Sequence, residues 1–169
     1  MANATAAEPD KIQVERLLTA ARSTIAEVRY CWVVTPADDG IGAHARAVLD
    51  QKNGAATDLS TRWFLARRVS RKVAEIRRAG RVTLAYQHAS GDAFVALSGR
   101  ADLIDERAAI DSRFRPSNDY EAALAAQLLA VRVTADHLEL HIRGVTAEPW
   151  GHGRTFLDRG PDGIWRLAE

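Results

Sequence analysis

Arg62-Trp63-Phe64-Leu65-Ala66-Arg67-Arg68-Val69-Ser70-Arg71-Lys72-Val73-Ala74-Glu75-Ile76-Arg77-Arg78-Ala79-Gly80-Arg81 joins an aromatic, apolar run to a basic, helix-forming one. Trp63 to Ala66 reads as strand, and Ser70-Arg71-Lys72 opens a helix over Ser70 to Ala79 that Gly80 closes. Eight of these twenty residues are Arg or Lys and only Glu75 is acidic, whereas the whole chain carries a net charge of +1. A helix N-terminus offers N–H groups without helical acceptors and the positive end of a dipole, so cations gathered there point to a bound phosphate. Arg71 supplies a planar fork for bidentate contacts, Lys72 a compact charge, and Ser70 a hydroxyl that also caps the helix.

On either side of this stretch, strands and helices alternate without repeats. Val14, Leu17, Leu18, Ala21, Ile25 and Val28 recur with a 3.6-residue period, predicting an amphipathic helix from Asp10 to about Arg29. Tyr30 to Thr35 is a β-rich run ended by Pro36 and Asp38-Asp39-Gly40, and His44 to Gln51 completes a hairpin. Arg62 to Arg67, Arg81 to His88 and Ala93 to Ile104 are further strands. Helical pieces at Glu106 to Phe114 and Asn118 to Leu128 flank Pro116. Leu129 to Thr134 and His137 to Arg143 read as a strand pair, 144–153 as loop, and Arg154 to Arg159 with Ile164 to Leu167 as a final hairpin. Six or more strands with helices between some of them give an α+β, mostly antiparallel barrel. Residues 1–9 are expected to be disordered and 10–169 to form one domain with a C-terminal hairpin extension.

Composition narrows the classes. Hydrophobic content of 47% and charged content of 27% describe a soluble globular domain. A near-neutral total argues against a nucleic-acid or membrane binder, and no apolar run approaches the roughly 20 residues of a membrane span. The first residues lack a basic patch followed by an apolar core, and Cys31 is the single cysteine, so a reducing, cytoplasmic setting is expected. Cys31 lies beside Trp32, Val33 and Val34 and reads as an inert buried thiol. His137 and His141 are four apart in a strand, roughly 13 Å from each other, which does not make a metal site. No nucleophile elbow, glycine-rich nucleotide loop or paired carboxylates stand out, which counts against a hydrolase or a Rossmann dehydrogenase. Alternation along the second strand puts His44, Arg46 and Val48 on one face, so His44 and Arg46 can address the same ligand.

Five pieces occur in order: His44 to Val48, Trp63 to Leu65, Ser70 to Ile76, Arg81 to Tyr86, and Val95 to Ala101. Their order and spacing resemble the pyridoxamine 5′-phosphate oxidase-like flavoproteins, in particular the short bacterial general stress proteins, over residues 12–142. The resemblance implies a six-stranded split β-barrel with flanking helices. It also implies a homodimer holding flavin mononucleotide (FMN) at the subunit interface. On that reading Arg46 contacts the flavin, Phe64, Leu65 and Ala66 line the ring edge through backbone groups, and Ser70, Arg71 and Lys72 grip the phosphate. FAD, a deazaflavin and haem are the alternative cofactors.

Leu140-His141 stands where relatives often carry Tyr-Trp, and Ala66 where a hydroxyl side chain often occurs. The tail from Trp150 to Leu167 is similar to the C-terminal hairpin of true pyridoxamine phosphate oxidases, which would bring Arg154 or Arg159 to the ligand. The implied activity is an oxidoreductase whose hydride chemistry belongs to the flavin, with a small-molecule electron donor or acceptor. No catalytic residue is assigned. The rival reading is a non-catalytic flavin or haem binder on the same barrel.

Overall fold

The computed structural model describes residues 8–37, 40–50, 58–113, 118–146 and 154–168. A first helix, α1 (Glu8–Glu27), is followed by β1 (Tyr30–Pro36), β2 (Ala43–Leu49), β3 (Thr61–Arg67), α2 (Arg71–Ala79), β4 (Arg81–Gln87) and β5 (Ala93–Ile104). Then come α3 (Arg107–Asp111), α4 (Asp119–Ala125), β6 (Leu128–Ile142), β7 (Thr155–Arg159) and β8 (Trp165–Leu167). The start of α1 lies two residues ahead of the expected one, and the first seven residues lie outside those described. Among the described residues no helix is long and apolar enough to cross a membrane.

Period-two alternation selects the buried face of each strand. Cys31, Val33 and Thr35 of β1 point inward, as do Val82, Leu84 and Tyr86 of β4 and Val95 and Leu97 of β5. They meet Phe64 and Ala66 of β3, Val131, Val133, Leu138 and Leu140 of β6, and Leu17, Ala21 and Ile25 from one stripe of α1. On the other face of β3, Trp63 and Leu65 pack with Ile110 of α3 and Leu124 of α4 in a second, smaller cluster.

All strand pairings are antiparallel, in the order β2-β1-β4-β5-β6-β7-β8 with β3 joined to β6. One edge of β6 runs along β5, while its other edge serves β3 in its first half and β7 in its second. Among the described residues β2 pairs only with β1, and β3 only with β6. The sheet therefore curls without closing, leaving a split between β2 and β3. This is the expected split barrel of six strands, β1 to β6, with β7 and β8 as the added hairpin. A buried ion pair, Arg62 with Asp50, bridges the split from the start of β3 to the residue after β2.

The expected strand pair at 129–143 is one continuous strand. Ser98 pairs with His137 and Gly99 with Ala135, so Asp136 is an extra residue in β6, a bulge that bends the strand without ending it. Gly99 is required there, because a Cβ would sit 2.1 Å from the Thr134 carbonyl oxygen. The helix expected at Glu106 to Phe114 shortens to the five residues of α3. The loop expected at 144–153 is described only through Thr146; its remainder, 147–153, lies outside the described residues.

Candidate functional site

The N-terminus of α2 forms as the sequence predicts. Ser70 is extended (φ −135°) and its hydroxyl accepts the Val73 N–H at 3.3 Å, while Gly80 ends the helix at φ 65°. The first-turn N–H groups of Arg71 and Lys72 have no acceptor within the helix. Arg71 projects outward, its side chain 61% exposed. The Lys72 ammonium lies 5.2 Å from the centre of the Phe64 ring. Burial, then the neighbouring Arg46 charge, pushes Lys72 below its ordinary value, a bias that an anion would reverse.

Beneath these cations sits the residue the sequence reading passed over. Glu75 is fully buried, one turn after Arg71, and every neighbour around its carboxylate is a donor. Thr35 donates its hydroxyl at 2.6 Å, Arg46 donates Nη2 at 2.6 Å, and His44 Nδ1 lies 2.8 Å away. Arg71 Nε approaches the same group at 3.2 Å. Burial alone would raise the carboxyl, but the bonds from Thr35, Arg46 and His44 outweigh it and hold Glu75 down at about 2. Arg46 also donates Nη1 to the Thr35 hydroxyl at 2.7 Å, which locks its fork in place. The register of β1 on β2 makes this possible: Thr35 pairs with His44 and Val33 with Arg46, so all three functional side chains share the inner face.

His44, Arg46 and Arg71 are thus brought together around one carboxylate, with Ser70 and Lys72 on the adjoining turn. Phe64 and Ala66 point into the core and Leu65 to the opposite face, so what β3 can present to a ring is backbone along its open edge. The wider positive segment is mostly spent on structure. Arg62 pairs with Asp50, Arg68 with Asp105 and Arg81 with Asp136, and Arg78 donates to the Pro36 and Ala37 carbonyls. Trp63 lies under the Arg113 guanidinium, 3.5 Å from the ring centre.

A second feature lies on the outward face of the sheet. An open depression of about 500 Å³ is lined by Trp32, Phe94, Ala96, Glu139, His141 and Arg154, among others. Phe94 and His141 are cross-strand partners with ring centres 6.1 Å apart, and Arg154 pairs with Glu139 at 2.8 Å. Of the Leu140-His141 pair, Leu140 is in the core and His141 faces this depression. Tyr30 and Trp32 stay half exposed on the outward face of β1, an apolar surface of which Trp32 lines the depression. Arg159 lies elsewhere, in the β7–β8 hairpin.

No curated protein matches the chain. A protein from Clostridium acetobutylicum related to general stress protein 26 of B. subtilis superposes with a TM-score of 0.68 at 15% identity, covering 85% of this chain and 95% of its own. A pyridoxamine 5′-phosphate oxidase-related, FMN-binding protein from Nostoc punctiforme gives 0.59 at 13% identity, covering 98% and 100%. An F420 reductase gives 0.54 at 14%, covering 69% and 94%. At these identities the likeness establishes the fold. Residues 18–121 match the family described as pyridoxamine 5′-phosphate oxidase like, more than half of the sequence. The chain belongs to the pyridoxamine 5′-phosphate oxidase-like family.

Proposed function

We propose that this protein binds a flavin nucleotide, FMN in the first instance, and acts in the cytoplasm as an oxidoreductase. The observation that carries the reading is the corner at Ser70-Arg71-Lys72, where helix N–H groups, an outward guanidinium and an ammonium converge above a buried carboxylate that fixes their supports. Arg71, Lys72 and Arg46 set against Glu75 leave two positive charges, the complement of a phosphate dianion.

A bound flavin supplies hydride transfer at its N5. The chain's own residues do the rest. Arg71 and Lys72 hold the phosphate, Ser70 donates its hydroxyl, and Arg46 with His44 lines the approach from β2. The open edge of β3 at Phe64 to Ala66 offers backbone groups to the ring. No acid or base is required at this corner, and none is assigned.

The protein works as a homodimer on this reading. The half-exposed Tyr30 and Trp32 form an apolar sheet face that a second copy covers, bringing the depression at Phe94 and His141 over the partner's cofactor. His141 in that depression also favours a second reading, a non-catalytic haem or flavin carrier. Absorption spectra of the purified protein titrated with FMN, FAD, a deazaflavin and haem, followed by nicotinamide oxidation assays, separate the two. FMN uptake with turnover supports the enzyme. Haem uptake alone, or no uptake at all, refutes it.

A further inference from the structure

A second gathering of cations lies where β4 begins. Arg81 and Arg100 are direct cross-strand partners on β4 and β5, an arrangement of like charges that is unfavourable without an anion between or beside them. Arg159 joins them from the β7–β8 hairpin, and the three guanidiniums line an open depression of about 560 Å³ with Asp136.

The positions are fixed by the fold. The β6 bulge turns out Asp136, which grips both Nη atoms of Arg81 at 2.8 and 2.6 Å. Arg159 donates Nε to the Gly163 carbonyl at 3.1 Å, and Gly163 (φ +79°) has no Cβ to crowd the guanidinium. Arg100 is the least engaged: it reaches Asp102 at 3.4 Å, a carboxylate that Arg132 already holds at 3.0 Å. Arg81, Arg100, Arg159 and the neighbouring Arg132 set against Asp136 and Asp102 leave two positive charges, and planar forks suit a tetrahedral oxyanion. The volume leaves room for an organic group attached to it. Asp136 and Asp102 beside the depression disfavour a continuous nucleic-acid backbone.

We propose that this depression is a second anion site, for the phosphate dianion of a small phosphorylated metabolite, independent of the corner at Ser70 to Lys72. The test is calorimetric titration of the full-length protein with phenyl phosphate, with arginine Nε–Hε resonances followed by NMR. The exposed-site variant R100A and the double variant R100A/R159A are compared with R71A/K72A, and circular dichroism verifies their folds. Affinity is expected to fall about tenfold in R100A, further in the double variant, and to persist in R71A/K72A, while the Arg159 resonance moves on binding. No binding by the parent protein, equal affinity in R100A/R159A, or loss only in R71A/K72A overturns the assignment.

Discussion

Changing Glu75 to Gln probes the keystone of the α2 corner. Thr35, His44, Arg46 and Arg71 all address this one carboxylate, which solvent does not reach. Removing one partner of a buried, hydrogen-bonded charge cluster costs about 3–5 kcal/mol. Glu75→Ala should therefore lower the melting temperature by roughly 6–20 °C, at about 2–4 °C per kcal/mol for a domain of this size. Glu75→Gln keeps one acceptor oxygen but turns an amide NH₂ toward donors, so about half that loss follows. Acid supplies the internal check. The folded-state carboxyl is held at about 2, below its ordinary 4.5, so its stabilisation is complete above pH 4.5 and fades as the pH falls toward 2. Thermal melts from pH 7 to pH 3 should show the gap between parent and E75Q widest at neutral pH and narrowing with acid. Identical melting temperatures at pH 7, or a gap indifferent to pH, would mean that the Glu75 carboxylate does not hold this corner together.

Other perturbations test the barrel that carries the corner. Arg62→Ala removes the cationic partner of the buried Asp50 carboxylate across the split and should cost about 3–5 kcal/mol by denaturant titration. Gly99→Ala drives a Cβ into the Thr134 carbonyl and should destabilise by at least about 1–3 kcal/mol, with altered amide protection around the β6 bulge. The Cys31 thiol, buried and pushed up to about 12 by that burial and by Asp50, should react with a thiol reagent only at the rate of unfolding. Fast labelling of the native protein would contradict the packing of β1.

Much of the fold was legible because its signals are local. Ser70 and Gly80 mark the two ends of α2 by cap chemistry, and alternation along β1, β4 and β5 marks their buried faces. The length of β6 was not legible, since Ala135-Asp136 looks like a turn until the partner strand shows that one residue is bulged out. Charge density misled in a similar way. Arg62, Arg68, Arg78 and Arg81 crowd one stretch of sequence, but their partners, Asp50, Asp105, the Pro36 and Ala37 carbonyls and Asp136, lie far along the chain. Glu75 was visible as the i+4 neighbour of Arg71. Its bonds to Thr35, His44 and Arg46 depend on the β1–β2 register, which no local pattern discloses.

FMN titration of R71A/K72A beside the parent protein measures whether Arg71 and Lys72 anchor the phosphate of a flavin nucleotide. Each charge-assisted contact is worth on the order of 1.5–3 kcal/mol, so the double variant, shown by circular dichroism to be folded, should bind FMN at least about a hundredfold more weakly. Parental FMN affinity in a folded R71A/K72A variant would remove both residues from the flavin site.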